Sequence, residues 1–245
     1  MLSSMGDNLR VAIIGASGGI GSAFIRQFEA SDQTAHIYAL SRQSQNYDAA
    51  KITSLVFDFT DENSVQNCAA HIEQDGPLDL VIIATGFLHD EVTSPEKNMR
   101  ALSFNNFEKN FAINTFGPAI TAKYFLPIMR RDSKAVFSAL SARVGSISDN
   151  RLGGWYSYRA SKAALNMIFK TLSIEYARRF KNIIITGLHP GTVDTKLSQP
   201  FQNNVAEGKL FTPEYSAEKL LSVIDQISFE DSGKTFDWAG EIIPC

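Results

Sequence analysis

Val11-Ala12-Ile13-Ile14 runs directly into Gly15-Ala16-Ser17-Gly18-Gly19-Ile20-Gly21, and that turn into Ser22-Ala23-Phe24-Ile25-Arg26-Gln27-Phe28. The first run is short and apolar, as a buried strand is, and the last seven residues carry helical spacing. Between them lie four glycines in seven positions. Glycine permits positive φ and close backbone approach, so the first-turn N–H groups of a helix can face a phosphate. A first strand feeding a glycine turn and a helix is where a doubly wound α/β sheet binds a dinucleotide. Gly15, Ser17, Gly18, Gly19, Ile20 and Gly21 are therefore candidate cofactor contacts, and the expected class is an α/β Rossmann fold.

Outward from this turn, strand-like and helix-like runs alternate. Residues 10–14, 35–40, 52–57, 78–84, 135–140 and 183–188 read as strands, and residues 22–30, 62–74, 107–130 and 158–180 as helices. Thr212-Pro213-Glu214 reads as an N-cap, a first-position proline and an acidic first turn, opening a helix to about Ile227. Such alternation predicts parallel βαβ units, here one domain over residues 1–245 with a parallel sheet of about seven strands. The least regular stretches, 87–106, 143–155 and 192–211, all follow strands. In a parallel sheet those loops gather at the carboxyl edge, so they are the expected walls of a substrate pocket.

Composition narrows the class. With 245 residues, 44% apolar content and a net charge of −3, the chain has enough material for a sizeable core and no basic excess to attract nucleic acid or an anionic membrane. No apolar run approaches the roughly 20 residues of a membrane span, and Met1–Leu9 lacks the pattern of a signal peptide. Cys68 and Cys245 are too far apart in sequence to imply a disulfide framework or a zinc site, and His36, His71, His89 and His189 show no ligand spacing. The expectation is a cytoplasmic protein without metal.

Two further motifs carry chemistry. The second strand ends Ser41-Arg42, at the distance from the glycines where NAD-binding sheets place an acidic residue on the ribose 2′-hydroxyl. A guanidinium there and no carboxylate favours NADP(H) over NAD(H). Tyr158 and Lys162 stand four apart on one helix face, where a cation favours the phenolate and tunes a proton donor to a carbonyl. Tyr47/Lys51 and Tyr215/Lys219 share the spacing, but only Tyr158 follows the fifth strand and begins a long helix. Gly15-Ala16-Ser17-Gly18-Gly19 also satisfies the G-x-S-x-G elbow of serine hydrolases. An elbow, however, follows several earlier strands and needs a late histidine, whereas almost nothing precedes this one and His189 is the last histidine.

Together these motifs resemble the short-chain dehydrogenases/reductases across nearly the whole chain. Ser141-Ala142-Arg143-Val144-Gly145-Ser146-Ile147 and Trp238-Ala239-Gly240 look most like the C-factor and Sniffer-type carbonyl reductases. The resemblance implies NADP(H)-dependent carbonyl reduction, or the reverse. It makes Asp58 and Phe59 adenine-side contacts, Ala84-Thr85-Gly86 the segment after the fourth strand, and Pro190, Gly191, Val193 and Thr195 the nicotinamide-side contacts. It also implies a tetrad of Asn114, a serine, Tyr158 and Lys162, and a homodimer or homotetramer paired through the helices after the fourth and fifth strands. One position departs: counting back from Gly145, the catalytic second serine of the family falls on Ala142. Ser141 is the expected substitute, with Ser146 a further candidate. The small-molecule substrate is left open, and a C-factor-like signalling or sensing role with little catalysis is the alternative.

Overall fold

In the computed structural model, which describes residues 2–245, the elements follow in the order β1 (Leu9–Ile14), α1 (Gly19–Glu29), β2 (Thr34–Ser41), β3 (Ile52–Val56), α2 (Glu62–Glu73), β4 (Leu80–Ile83), α3 (Phe104–Phe111), α4 (Gly117–Phe125), β5 (Ala135–Leu140), α5 (Tyr156–Ala177), β6 (Ile183–His189), β7 (Thr192–Val193), β8 (Leu210–Phe211), α6 (Pro213–Gln226) and β9 (Thr235–Asp237). Seven strands form one sheet in the order β3-β2-β1-β4-β5-β6-β9, every pairing parallel. This is a Rossmann-like α/β architecture with helices on both faces.

Alternation along the strands divides the core in two. Val11 and Ile13 point with Phe24, Phe28, Leu220 and Ile224 into the layer of α1 and α6. Ala12 and Ile14 point with Phe125, Leu165 and Phe169 into the layer of α2, α4 and α5. The chain runs outward from β1 in one direction to β3 and, after crossing back, from β4 in the other to β9. Between β1 and β4 the direction of travel reverses, and there a crevice opens beyond the carboxyl ends of the strands.

The continuous helix expected over 107–130 is interrupted. α3 begins earlier, where the Ser103 side chain accepts from Asn106 N, and ends at Phe111. Ala112–Phe116 then form a π turn in which Gly117 N–H bonds the Ala112 carbonyl, before the chain continues as α4. Pro118 is the local reason: it has no N–H for the Asn114 carbonyl four residues back, and its ring crowds that turn. The last strand, Thr235–Asp237, is too short to leave a periodic signal. The third irregular loop is fastened at its base by the short parallel pair β7 and β8, Thr192 facing Leu210 and Val193 facing Phe211.

Candidate active site at the carboxyl edge

The glycine turn lies in the crevice between β1 and β4. Gly15 has φ +88°, and a Cβ there would stand 2.8 Å from Thr85 Cγ2. A Cβ on Gly21 would stand 2.1 Å from the Gly15 carbonyl oxygen, so the tight return of the chain requires glycine at that position. A Cβ on Gly19 would meet Thr195 Cγ2 at 2.8 Å, and one on Gly86 would lie 3.5 Å from Leu197 and 3.9 Å from Asn114 Oδ1. The turn, the 84–86 segment and the 190–195 segment are therefore in contact, though far apart in sequence. α1 starts with Gly18 as N-cap, without a side-chain cap and without an acidic residue in its first turn. Ser17, Gly18 and Gly19 are exposed. Such a start offers an anion unclaimed N–H groups and the positive end of the helix dipole. Thr85 Oγ1, beside the turn, is buried and has no hydrogen-bond partner. A glycine cradle, an uncapped helix start and an orphaned hydroxyl fit the diphosphate of a dinucleotide.

At one end of the crevice, Ser41 is buried and donates to the Gln43 carbonyl (2.6 Å), and Arg42 is exposed. Asp58 Oδ1 accepts from Thr60 N and Oγ1, both at 2.8 Å. Those bonds, and then the Arg42 charge, hold the Asp58 carboxyl below its usual range. Phe59 stands edge-on to Phe57 at 5.2 Å. At the other end Gly191 has φ +79° and lies under the Phe211 ring, Val193 is buried, and the Pro190 carbonyl accepts from Ser216 Oγ.

The long helix α5 carries Tyr158 in its first turn and Lys162 in its second. Both are buried, and Lys162 Nζ donates to the Leu140 carbonyl at 2.7 Å, 5.8 Å from the Tyr158 ring centroid. Gly145 lets the loop after β5 rest on Lys162: a Cβ there would be 2.9 Å from that of the lysine. The pairing does not lower the phenol in this state, contrary to the sequence expectation. Burial pushes Tyr158 up to about 12 and Lys162 down to about 7, because withdrawal from water penalises the charged form of each. A lysine that titrates near neutrality supplies only part of a positive charge to its neighbour. The other Tyr-x-x-x-Lys spacings lie elsewhere: Lys51 donates to the Ser31 carbonyl, and Tyr215 packs on Phe211 and Trp238.

Asn114 sits in the π turn with its amide fully engaged. Oδ1 accepts from Phe87 N (2.8 Å), while Nδ2 donates to the Phe87 carbonyl, to Asn110 Oδ1 and to Ser161 Oγ. Ser161 in turn donates to the Tyr158 carbonyl at 2.8 Å. Asn114, Tyr158 and Lys162 are thus brought together, but Ser141 is not. Its hydroxyl donates to Asn166 Oδ1 at 2.7 Å, and its Cβ faces Gly187 of β6. The sequence expectation gave Ser141 the role of the missing serine; here its hydroxyl is engaged with Asn166 on α5, and Ala142, past the end of β5, is the residue clustered with Leu88 and Tyr158. Ser146 is buried with its Oγ accepting from Asp149 N, which ties it to its own turn.

Val144, Trp155, Leu197 and Phe201 pack against the Leu88–Ala142–Tyr158 cluster. Trp155 stands edge-on to Phe201 at 5.0 Å, and His89 to Phe201 at 5.5 Å. One residue from each of the three irregular loops, Leu88, Trp155 and Phe201, therefore borders Tyr158. Glu96, Asn110, Ser157 and Ser161 surround the same helix start and were not singled out from sequence. The four-residue spacing of Asn106, Asn110 and Asn114, and of Ser157 and Ser161, is the signal that could have marked the asparagine and the two serines, whereas Glu96 leaves none.

Among the described residues, no group of three or more His, Cys, Asp or Glu could hold a metal ion, and no helix is long and apolar enough to cross a membrane. The sequence model of the short chain dehydrogenase family matches residues 10–206. The 1-hydroxy-2-glutathionyl-2-methyl-3-butene dehydrogenase of Rhodococcus sp. strain AD45 is 33% identical over 227 residues, covering 91% of this chain and 94% of that protein. The C-signal of Myxococcus xanthus is 31% identical over 169 residues, covering 69% of this chain and 93% of the relative. In architecture the chain is similar to NADPH-bound carbonyl reductase from chicken fatty liver (TM-score 0.84, 24% identity, 98% of this chain and 100% of that one). It is likewise similar to the carbonyl reductase Sniffer of D. melanogaster (TM-score 0.82, 20% identity, 98% and 100%). With the family match spanning most of its length and the glycine crevice and Tyr158–Lys162 pair on one sheet edge, this chain belongs to the short-chain dehydrogenase family.

Proposed function

We propose that the chain is an NADP(H)-dependent reductase of a small apolar carbonyl compound, acting as one domain with its substrate held between loops 87–106, 143–155 and 192–211. The observation that carries this reading is the convergence of Tyr158, Lys162 and Asn114, all buried and with Asn114 joined to the Tyr158 backbone through Ser161, on the edge that also holds the uncapped glycine turn. Gly15, Ser17, Gly18, Gly19, Ile20 and Gly21 would hold the cofactor diphosphate, with Thr85 donating its free hydroxyl. Ser41 and Arg42 would take the 2′-phosphate, Asp58 and Phe59 the adenine, and Pro190, Gly191, Val193 and Thr195 the nicotinamide end. A nicotinamide cofactor held by these residues would supply the hydride for the carbonyl carbon. Tyr158 Oη gives its proton to the carbonyl oxygen, completing the alcohol. Lys162 would hold the ribose hydroxyls, and as its amine gains partners and charge it would draw the phenol down from about 12 toward a working value. Asn114, whose carbonyl has lost its α-helical donor to Pro118, supports the water that resupplies the proton. Assembly through α4 and α5 would cover Phe116, Met167 and Ile174, which are at least half exposed.

NADPH and NADH titrations followed by nicotinamide fluorescence, then NADPH-dependent reduction of phenanthrenequinone by wild type and Tyr158→Phe, test the reading. The expected outcome is tight NADPH binding, much weaker NADH binding, and turnover reduced about 1000-fold by Tyr158→Phe with NADPH affinity nearly unchanged. Retained turnover in that variant would put the proton donor elsewhere, and equal affinities would remove the Arg42 preference. A second reading, a nucleotide-binding sensor like the C-signal relative, is favoured by Ala142 standing beside Tyr158. NADPH binding without reduction of any carbonyl in a broad screen would select it.

A further inference from the structure

α5 begins where no helix should start unaided. Its N-cap position is Trp155, which has no capping side chain and sits in the left-handed region at φ 50°, ψ 44°. The first-turn N–H groups of a helix need acceptors, and a buried start without them is destabilising. Here the acceptors come from the loop after β4, some sixty residues earlier. Glu96 is 1% exposed. Its backbone carbonyl accepts from Trp155 N at 2.6 Å, and its Oε2 accepts from Ser157 N at 3.2 Å. The first bond holds the left-handed residue in place. The second caps the helix from outside the element and sets a carboxylate at the positive end of its dipole.

From Glu96 a chain of hydrogen bonds, partly buried at Asn106 and buried beyond it, leads to Asn114 and the Tyr158 turn. Asn106 Nδ2 donates to Glu96 Oε1 (3.2 Å), Asn110 Nδ2 to the Asn106 carbonyl (2.9 Å) and to Ser157 Oγ (3.1 Å), and Asn114 Nδ2 to Asn110 Oδ1 (3.2 Å). Asn114 and Tyr158 then meet at Ser161, as described above. The Asn106–Asn110–Asn114 face of α3 and the π turn is thereby laced to the Ser157–Ser161 face of α5, with Glu96 at the closed end. The Glu96 carboxyl stays below its usual range despite a burial that would raise it, because the Ser157 hydroxyl and amide and the Asn106 amide all donate to it.

We propose that Glu96 is a positioning residue for the proton donor: by capping α5 in trans and anchoring the asparagine ladder, it fixes Tyr158 relative to Asn114. The assignment rests on the reading of Tyr158 as proton donor, and its test has one arm that does not. Wild type, Glu96→Ala and Glu96→Gln are compared by amide hydrogen exchange and by NADPH-dependent reduction of phenanthrenequinone. Losing a buried bond to a charged acceptor corresponds to about a ten-fold effect or more. In Glu96→Ala, exchange at Ser157 and Tyr158 should accelerate about ten-fold while the amides of β1 and β5 keep their protection. In parallel kcat should fall about ten-fold with KM for NADPH within two-fold of wild type. Glu96→Gln keeps the shape and one acceptor oxygen, so it should restore part of both. Unchanged exchange at 157–158 would overturn the proposal. So would loss of protection spread through the sheet, which marks a merely structural role, or a rise in KM for NADPH in place of the fall in kcat. If wild type reduces no carbonyl, the proton-donor reading fails on its own, and the exchange arm still decides whether Glu96 orders the Tyr158 turn.

Discussion

Among the described residues, α1 and α5 both start free of any preceding helix and without a cap of their own, and they are left bare for opposite reasons. At α1, Gly18 offers no side chain, the first turn carries no acid, and the surrounding residues are exposed. At α5, Trp155 is equally incapable of capping, yet Glu96 arrives from a distant loop to accept the Ser157 N–H. On the proposed function, the unclaimed N–H groups of α1 would receive a phosphate, whereas at α5, which carries the proposed proton donor, the chain satisfies the same groups itself. The remaining free helix starts follow the ordinary rule: Asp61, Ser103 and Thr212 each accept from a first-turn amide within their own element.

The sharpest way to break the comparison is at α1, whose geometry depends on backbone sterics alone. Gly21→Ala places a methyl 2.1 Å from the Gly15 carbonyl oxygen, and a backbone atom cannot rotate aside. The turn must open, at a cost of about 3 kcal/mol, the upper range for overpacking. NADPH affinity by fluorescence titration should fall at least about 100-fold, the equivalent of that energy. The stability of α5, read by exchange at Ser157, should be untouched. Affinity within a few fold of wild type would mean that the glycine turn does not carry the cofactor.

On the α5 side, the cost of preparing the site is stored in Lys162. Its ordinary value near 10.5 falls to about 7 because the amine is buried. The unfolded chain therefore binds a proton that the folded chain releases between about pH 7 and 10.5. Stability rises with pH across that window, and at lower pH the full cost of burying the charge is present. Lys162→Met removes the ionisable group and keeps the volume. It also removes the bond to the Leu140 carbonyl, so the net gain at pH 7.5 should be about 2 kcal/mol of unfolding free energy in urea. The variant should lose the pH dependence above 7 and, with it, carbonyl reduction. A variant less stable than wild type at pH 7.5 would show that the amine is solvated in the fold.

The two helix starts also differ in how much of them was legible in the sequence. The glycine turn is local: strand, turn and helix are contiguous, and the reversal of strand order around β1 follows from alternation and the right-handed crossover. The Tyr158–Lys162 pair was legible for the same reason, being one helical turn. What escaped was long-range. Glu96 reads as an ordinary loop acid, and only folding brings it to Ser157. The helix expected over 107–130 ran through Pro118 because apolar periodicity continues on both sides of it, while the π turn records the missing N–H. Strand parity puts Ser141 with Ala139 on the α5 face, as the sequence expectation required, but Asn166 of α5 takes its hydroxyl there, while Ala142, past the strand end, joins the cluster of Tyr158.

That last point leads to the smallest expected effect. Ala142 shares the apolar cluster of Tyr158 and Leu88, whereas Ser141 turns away to Asn166. By resemblance to the family, position 142 is where a hydroxyl would polarise the carbonyl, so on the proposed function Tyr158 would act without that help. Ala142→Ser adds one oxygen to a cluster otherwise lined by Leu88, Val144, Trp155, Leu197 and Phe201. In the free protein that hydroxyl lacks an apolar site's compensation and should cost about 1 kcal/mol of stability. With a carbonyl present it gains an acceptor, and a hydrogen bond of about 1 kcal/mol made more fully in the transition state raises kcat about five-fold. Ser141→Ala, by contrast, should cost about 1 kcal/mol for the lost bond to Asn166 Oδ1, which keeps its longer bond from Thr235 Oγ1 (3.3 Å), and leave kcat alone. If Ser141→Ala abolished turnover and Ala142→Ser changed nothing, the serine would have to leave Asn166 on binding substrate. The hydroxyl that takes part in reduction would then come from the α5 face of β5, and not from position 142 beyond the strand end.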